Sequence, residues 1–119
     1  MTTTSETTIY DWQEALLAFN TRDYKTAIDG FEKVLSAQPG HTDAREYLAR
    51  AHYQRASLVP AEREARAILA ADPTNEYVTL LLARTLERQS RHEEAAGVRR
   101  VLVALTGDAR HAATHAALG

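Results

Sequence analysis

Shifted by 34 residues the chain matches itself, and this period constrains the fold more than any single motif. The shift brings Ala27 onto Ala61 and Ala95, Val34 onto Ile68 and Leu102, and Leu35 onto Leu69 and Val103. Pro39 falls on Pro73, and Leu48-Ala49-Arg50 falls on Leu82-Ala83-Arg84. A repeat of this length is one supersecondary unit that cannot bury its apolar face alone, so successive units must stack.

Each period contains two stretches of helical periodicity. Ala44, Leu48, Ala51 and Arg55 share one stripe of a helix expected over about Thr42 to Arg55. Its partner runs from about Leu58 to Ala71, with Ala61, Ala65, Ile68 and Leu69 inward. The third unit repeats this with Val78, Leu82 and Leu86, then Ala95, Val98, Leu102 and Leu105. The first has Trp12, Ala15, Leu16 and Phe19, then Ala27, Ile28, Phe31, Val34 and Leu35. Asp23 and Ser57 suit helix N-caps, and Ser90 with Glu93 forms a capping-box pattern. Pro60 falls in a first helical turn, where its missing N–H costs least. Gln38-Pro39-Gly40 and Asp72-Pro73-Thr74 each close one unit and open the next. No segment alternates as a strand would.

The period, the small residues Ala49/Ala83 and Ala27/Ala61/Ala95, the aromatic Tyr24 and Phe31, and the unit-closing Pro39 and Pro73 resemble tetratricopeptide repeats (TPRs) from about Ile9 to Ala109. The resemblance implies an all-α fold: an α-solenoid of three helix-turn-helix units in a right-handed superhelix, with a C-terminal capping helix. The expected divisions are a disordered tail over 1–8, units over 9–41, 42–75 and 76–107, and a solvating helix or tail over 108–119. Three features depart from the family pattern. Gly107 replaces a unit-closing proline, and Arg99 stands where unit 1 has Phe31, so the third unit reads as terminal with a more polar outer helix. In the first helix, strict register puts Glu14 in the core and turns Trp12, Leu16 and Phe19 outward. A one-residue slide buries the apolar side chains and shortens the turn, and burial is the expectation taken here.

Composition narrows the function. The 119 residues are 45% hydrophobic with a formal charge of -2, enough for one core and too balanced for a nucleic-acid surface or a polybasic membrane anchor. The absence of cysteine excludes disulfides, thiolate metal sites and cysteine nucleophiles. The polar start lacks a signal-peptide pattern, and no apolar run approaches the ~18 residues of a membrane span. The expected location is cytoplasmic, and the excess of arginine and alanine suits a GC-rich bacterial source.

In the resembled family the first helix of each unit lines a concave groove. That places Asp43, Glu46, Tyr47, Arg50, Tyr53 and Gln54 there from the second unit, and Tyr77, Leu80, Leu81, Arg84 and Arg88 from the third. The expected peptide-binding set is Tyr47, Arg50, Gln54, Tyr77, Leu81, Arg84 and Arg88. Tyrosines offer rigid contact area and arginines suit bidentate carboxylate binding, so the fitting guest is a peptide with an acidic residue or a C-terminal carboxylate. The competing reading pairs Arg50 and Arg84 with Glu46, Glu87 or Asp43 as solvated ion pairs contributing about 0–1 kcal/mol each. The lysine–asparagine clamp of chaperone-tail-binding members is absent: Lys25 and Lys33 lie on second helices, and neither Asn20 nor Asn75 matches a groove position.

His111 and His115 are one helical turn apart without an evident third ligand, so no metal site is expected. His52 and His92 read as packed residues, and His41 as a loop residue. Glu62-Arg63-Glu64 and Arg91-His92-Glu93-Glu94 read as charged outer faces, and Arg99-Arg100 is too small a patch for nucleic acid. Nothing pairs a nucleophile with a base or forms a phosphate loop, so neither an enzyme nor a cofactor is expected. The sequence therefore points to a scaffold or adaptor that binds a partner protein. The alternative is a homodimer formed through Tyr10, Trp12 and Phe19 at the apolar end of the stack.

Overall fold

The computed structural model describes residues 6–112. They form α1 (Glu6–Asn20), α2 (Tyr24–Ala37), α3 (Thr42–Gln54), α4 (Leu58–Ala71), α5 (Glu76–Arg88) and α6 (His92–Thr106), followed by a 3-10 turn over Ala109–Ala112. No strand occurs among the described residues. The chain divides into two compact units, unit 1 over 1–64 and unit 2 over 65–119, distinct from the three sequence repeats, with the boundary inside α4.

The period is written in the backbone as well as in the side chains. Among the described residues, three non-glycine residues have positive φ: Arg22, Ala56 and Ser90, at 66°, 62° and 61°. Each follows a first helix and is fixed by the same two bonds. Arg22 N–H donates to the Phe19 carbonyl and Asp23 N–H to that of Ala18; Ala56 and Ser57 do so to Tyr53 and His52, and Ser90 and Arg91 to Glu87 and Leu86. This paired closure satisfies helix-end carbonyls and holds a left-handed residue that a side chain disfavours.

The caps follow the same interval. Asp23 caps α2, accepting from the Thr26 N–H at 3.3 Å, as its sequence position implies. Ser90 departs from its expected capping role, because the left-handed position ending α5 claims it. Arg91 is the N-cap of α6 without a side-chain cap bond, and its guanidinium grips Glu94 at 2.7 and 2.9 Å instead. His41 and Asn75, one period apart, cap α3 and α5: His41 Nδ1 accepts from the Ala44 N–H and Asn75 Oδ1 from the Val78 N–H, each at 3.0 Å.

Helix α1 begins at Glu6, three residues ahead of the expected first unit, and Thr8 is already buried. The turn after α1 has the same length and bonds as its two successors, so the helix has not slid by a residue. Burial of the apolar side chains is reached another way. Ala15 and Ala18 take the inward positions, Glu14 is exposed, and Trp12, Leu16 and Phe19 pack half-buried against the unit 1 core. The α1–α2 contact is close because Gly30 has no side chain: a Cβ there would lie 2.7 Å from that of Ala15.

In unit 1 the core runs from Ala15 through Phe31 and Val34 to Leu48 and Ala51; in unit 2 it joins Ala65, Ile68, Val78, Leu82, Leu86 and Ala95. Arg99 does not make the outer helix more polar. It is buried, and its Nε and Nη2 donate to the Glu87 carboxylate at 2.5 and 3.0 Å while Nη1 donates to the His111 carbonyl at 3.0 Å. A charge at the position of Phe31 thus ties α5, α6 and the following turn together. Gly107, at φ 73°, ends α6. The described part of the expected solvating helix is a 3-10 turn, and just before it Asp108 accepts from the Arg110 guanidinium and backbone N–H, which hold its carboxyl pKa down to about 2. The remainder of that segment, His115 included, lies outside the described residues.

Candidate functional site

In unit 1 the candidate surface is built by α1 and α3 over an aromatic cluster. The Tyr47 ring stacks on Phe31 at 5.6 Å and 23°, and meets Phe19 and Trp12 edge-on at 5.2 and 5.9 Å. The Arg50 guanidinium lies over Phe19 at 4.9 Å and over Tyr47 at 4.8 Å. One helical turn separates Tyr47 from Arg50, and α1 supplies the Phe19 ring, so the cation rests on rings from two helices. Such stacking contributes about 0.5–1 kcal/mol at a partly exposed site and restricts the orientation of a planar group that carries its N–H donors as a fork. Trp12 contacts the His41 ring at 4.7 Å, so His41 both caps α3 and joins this cluster. In the sequence His41 reads as a loop residue; its place one period before Asn75 is the signal of its capping role. Gln54 is exposed at the end of α3.

In unit 2 the corresponding helix is α5. Tyr77 is 48% exposed, and Arg84 and Arg88 are exposed. Leu81 is not presented: it is only 6% exposed. Helix α5 buries Val78, Leu81, Leu82, Thr85 and Leu86, a stripe broad enough to take in the position that Tyr47 holds on α3. The Leu81 carbonyl also accepts from Thr85 Oγ1 at 2.7 Å. Glu87, one of the carboxylates considered as a partner for Arg84, is bonded to Arg99. Arg50 and Arg84 share a place in the repeat and differ in setting: rings support the first, while Leu81 stands where the second would need Tyr47.

Two other charged positions depart from expectation. Glu64 is not on an outer face but buried, bonded to Arg45 at 2.7 Å and approached by Arg63 at 3.6 Å. His92, expected to pack like Tyr24 and Leu58, is exposed at the first position of α6. His52 is buried as expected, and burial pushes its pKa below the ordinary imidazole value. Among the described residues no three His, Cys, Asp or Glu side chains are placed to hold a metal ion, and no helix is long and apolar enough to cross a membrane.

No family model matches the sequence, and no curated protein matches it. Solved structures do resemble the fold. The Arabidopsis OM64 TPR domain superposes with a TM-score of 0.78 at 17% identity, over 90% of this chain and 88% of that one. The first TPR of Spaghetti (RPAP3), bound to the HSP90 peptide SRMEEVD, gives 0.79 at 17% identity over 92% and 86%. A thermophilic TPR protein of Thermus thermophilus gives 0.70 at 19% identity over 88% and 60%. At these identities the likeness is one of fold.

Proposed function

The chain has the tetratricopeptide-repeat fold, and from that premise we propose that it is a protein–protein interaction module, a scaffold or adaptor that is not an enzyme. Its first-of-pair helices each offer a surface to a peptide segment of a partner protein. In unit 1 the contacts come from Tyr47, Arg50 and Gln54; in unit 2 they come from Tyr77, Arg84 and Arg88. The carrying observation is Arg50 lying across Phe19 and Tyr47, a flat cation supported by rings. That arrangement suits a carboxylate next to an apolar side chain, the guanidinium gripping the first and the rings covering the second. The peptide bound to the Spaghetti domain, SRMEEVD, is acidic, which supports this choice of guest.

A peptide library displayed on phage tests the proposal, with selection on the wild-type chain and counter-screening on an Arg50→Ala/Arg84→Ala double variant. The selected peptides should be rich in Asp and Glu and bind the variant at least tenfold more weakly. Equal binding to both proteins rejects the site.

A second reading, a homodimer, rests on α1, where Tyr10 and Leu17 are 62% and 65% exposed and lie seven residues apart on one helix face. Trp12 and Phe19, the other residues first considered for it, are engaged in the unit 1 cluster. Light scattering that finds a monomer over a wide concentration range removes this option.

A further inference from the structure

His52 is only 7% exposed, and neither of its ring nitrogens has a hydrogen-bond partner. Buried polar atoms are nearly always bonded, so an imidazole with both nitrogens unpaired calls for a reason. Packing alone does not supply one. The residues one period away are Ala18 and Leu86, both buried, and each fills the position without a polar atom.

The surroundings favour the neutral ring. The charged groups that act on it are Glu64 and Arg63 from α4 and Arg55 at the end of its own helix; α2, packed on α3, contributes none among the described residues. Glu64 is the single anion of the three, and its carboxylate is already held by Arg45 at 2.7 Å. A proton on His52 therefore creates a buried cation beside two arginines, with one carboxylate that is already committed.

We infer that His52 is an acid-sensitive latch of unit 1: neutral, it packs as an apolar residue would, and protonated, it draws on Glu64 and loosens α3 from α4. Helix α3 carries Tyr47 and Arg50, yet the latch needs no bound partner to operate. Its direction follows from the protonation states. Burial lowers the folded-state pKa beneath the unfolded value of 6.5, so the folded chain resists a proton that the unfolded chain accepts. Stability is full above pH 6.5 and declines as the pH falls below it, levelling once the folded state also protonates. Each unit of depression is a tenfold change in the folded-to-unfolded ratio.

The test compares thermal unfolding of the wild type and His52→Leu from pH 7.5 to 5.0, together with an NMR titration of the histidine ring carbons in the native wild type. The wild-type melting temperature should fall further than that of the variant, and the His52 resonance should titrate below 6.5. Parallel melting curves, or a His52 resonance that titrates at 6.5 or above, overturn the latch. Should His52→Leu fail to fold, the wild-type titration decides alone.

Discussion

Two helical glycines offer opposite responses to the same substitution. In an unobstructed helix, Gly→Ala stabilises by about 1 kcal/mol, because alanine has less backbone freedom to lose. Gly97 approaches that case: a Cβ there meets only the Arg100 Nη2 at 3.5 Å, the mobile end of a long side chain. Gly30 does not. Its new Cβ would lie 2.7 Å from the Ala15 Cβ and 3.3 Å from the Ala15 Cα, so α1 and α2 must move apart. Overpacking of this kind costs about 1–3 kcal/mol, and about 3 is the appropriate end where backbone is involved. Subtracting the propensity gain of about 1 leaves Gly30→Ala destabilising by about 2 kcal/mol, or about 6–12 °C in melting temperature for a chain of this size. Gly97→Ala should raise it by a few degrees. An Ala15→Gly background removes the obstructing methyl, so Gly30→Ala should there cost far less, and the double-mutant cycle should show a favourable coupling above 1 kcal/mol. Circular dichroism melts of the four proteins in the cycle and of Gly97→Ala read all of this. The packing argument is refuted if Gly30→Ala raises the melting temperature as Gly97→Ala does.

Other substitutions probe the remaining contacts. Ala61 is fully buried, and Ala61→Leu should destabilise by about 1–3 kcal/mol in urea titration, an unchanged midpoint counting against close packing there. Arg99→Ala strands the Glu87 carboxylate and frees the His111 carbonyl, so a loss of about 3–5 kcal/mol is expected, whereas replacing both Arg99 and Glu87 by leucine should recover most of it. The side-chain and backbone bonds from Arg110 depress the Asp108 carboxyl, so the stability this turn adds is present above pH 3.8 and lost as the pH falls through about 2. Carbon NMR of that carboxyl should give a midpoint near 2 that returns toward 3.8 in Arg110→Ala.

The fold was largely legible because one interval fixes side-chain burial, helix caps and turn conformation together. Ala27, Ala61 and Ala95, chosen from the shift alone, are all fully buried. The same logic misjudged Leu81, because equal position in a repeat does not mean equal exposure: α3 leaves Tyr47 half-exposed where the broader apolar stripe of α5 buries Leu81. Charges were the least legible. Glu64, Glu87 and Arg99 each look solvated in a linear sequence, and the bonds that bury them join residues 12 or 19 positions apart on different helices. The aromatic cluster lay between these cases. Trp12, Phe19 and Tyr47 were visible as large side chains, but Arg50 resting on two of the rings could be seen only once α1 and α3 were in place.

The most direct measurement of the binding claim is amide chemical-shift mapping of the labelled chain with an acidic peptide recovered by the phage selection. The largest changes should fall on α3 at Tyr47, Arg50 and Gln54 and on α5 at Tyr77, Arg84 and Arg88, with the indole signal of Trp12 shifting as well. Changes confined to α2, α4 and α6, leaving α3 and α5 unmoved, would contradict that claim.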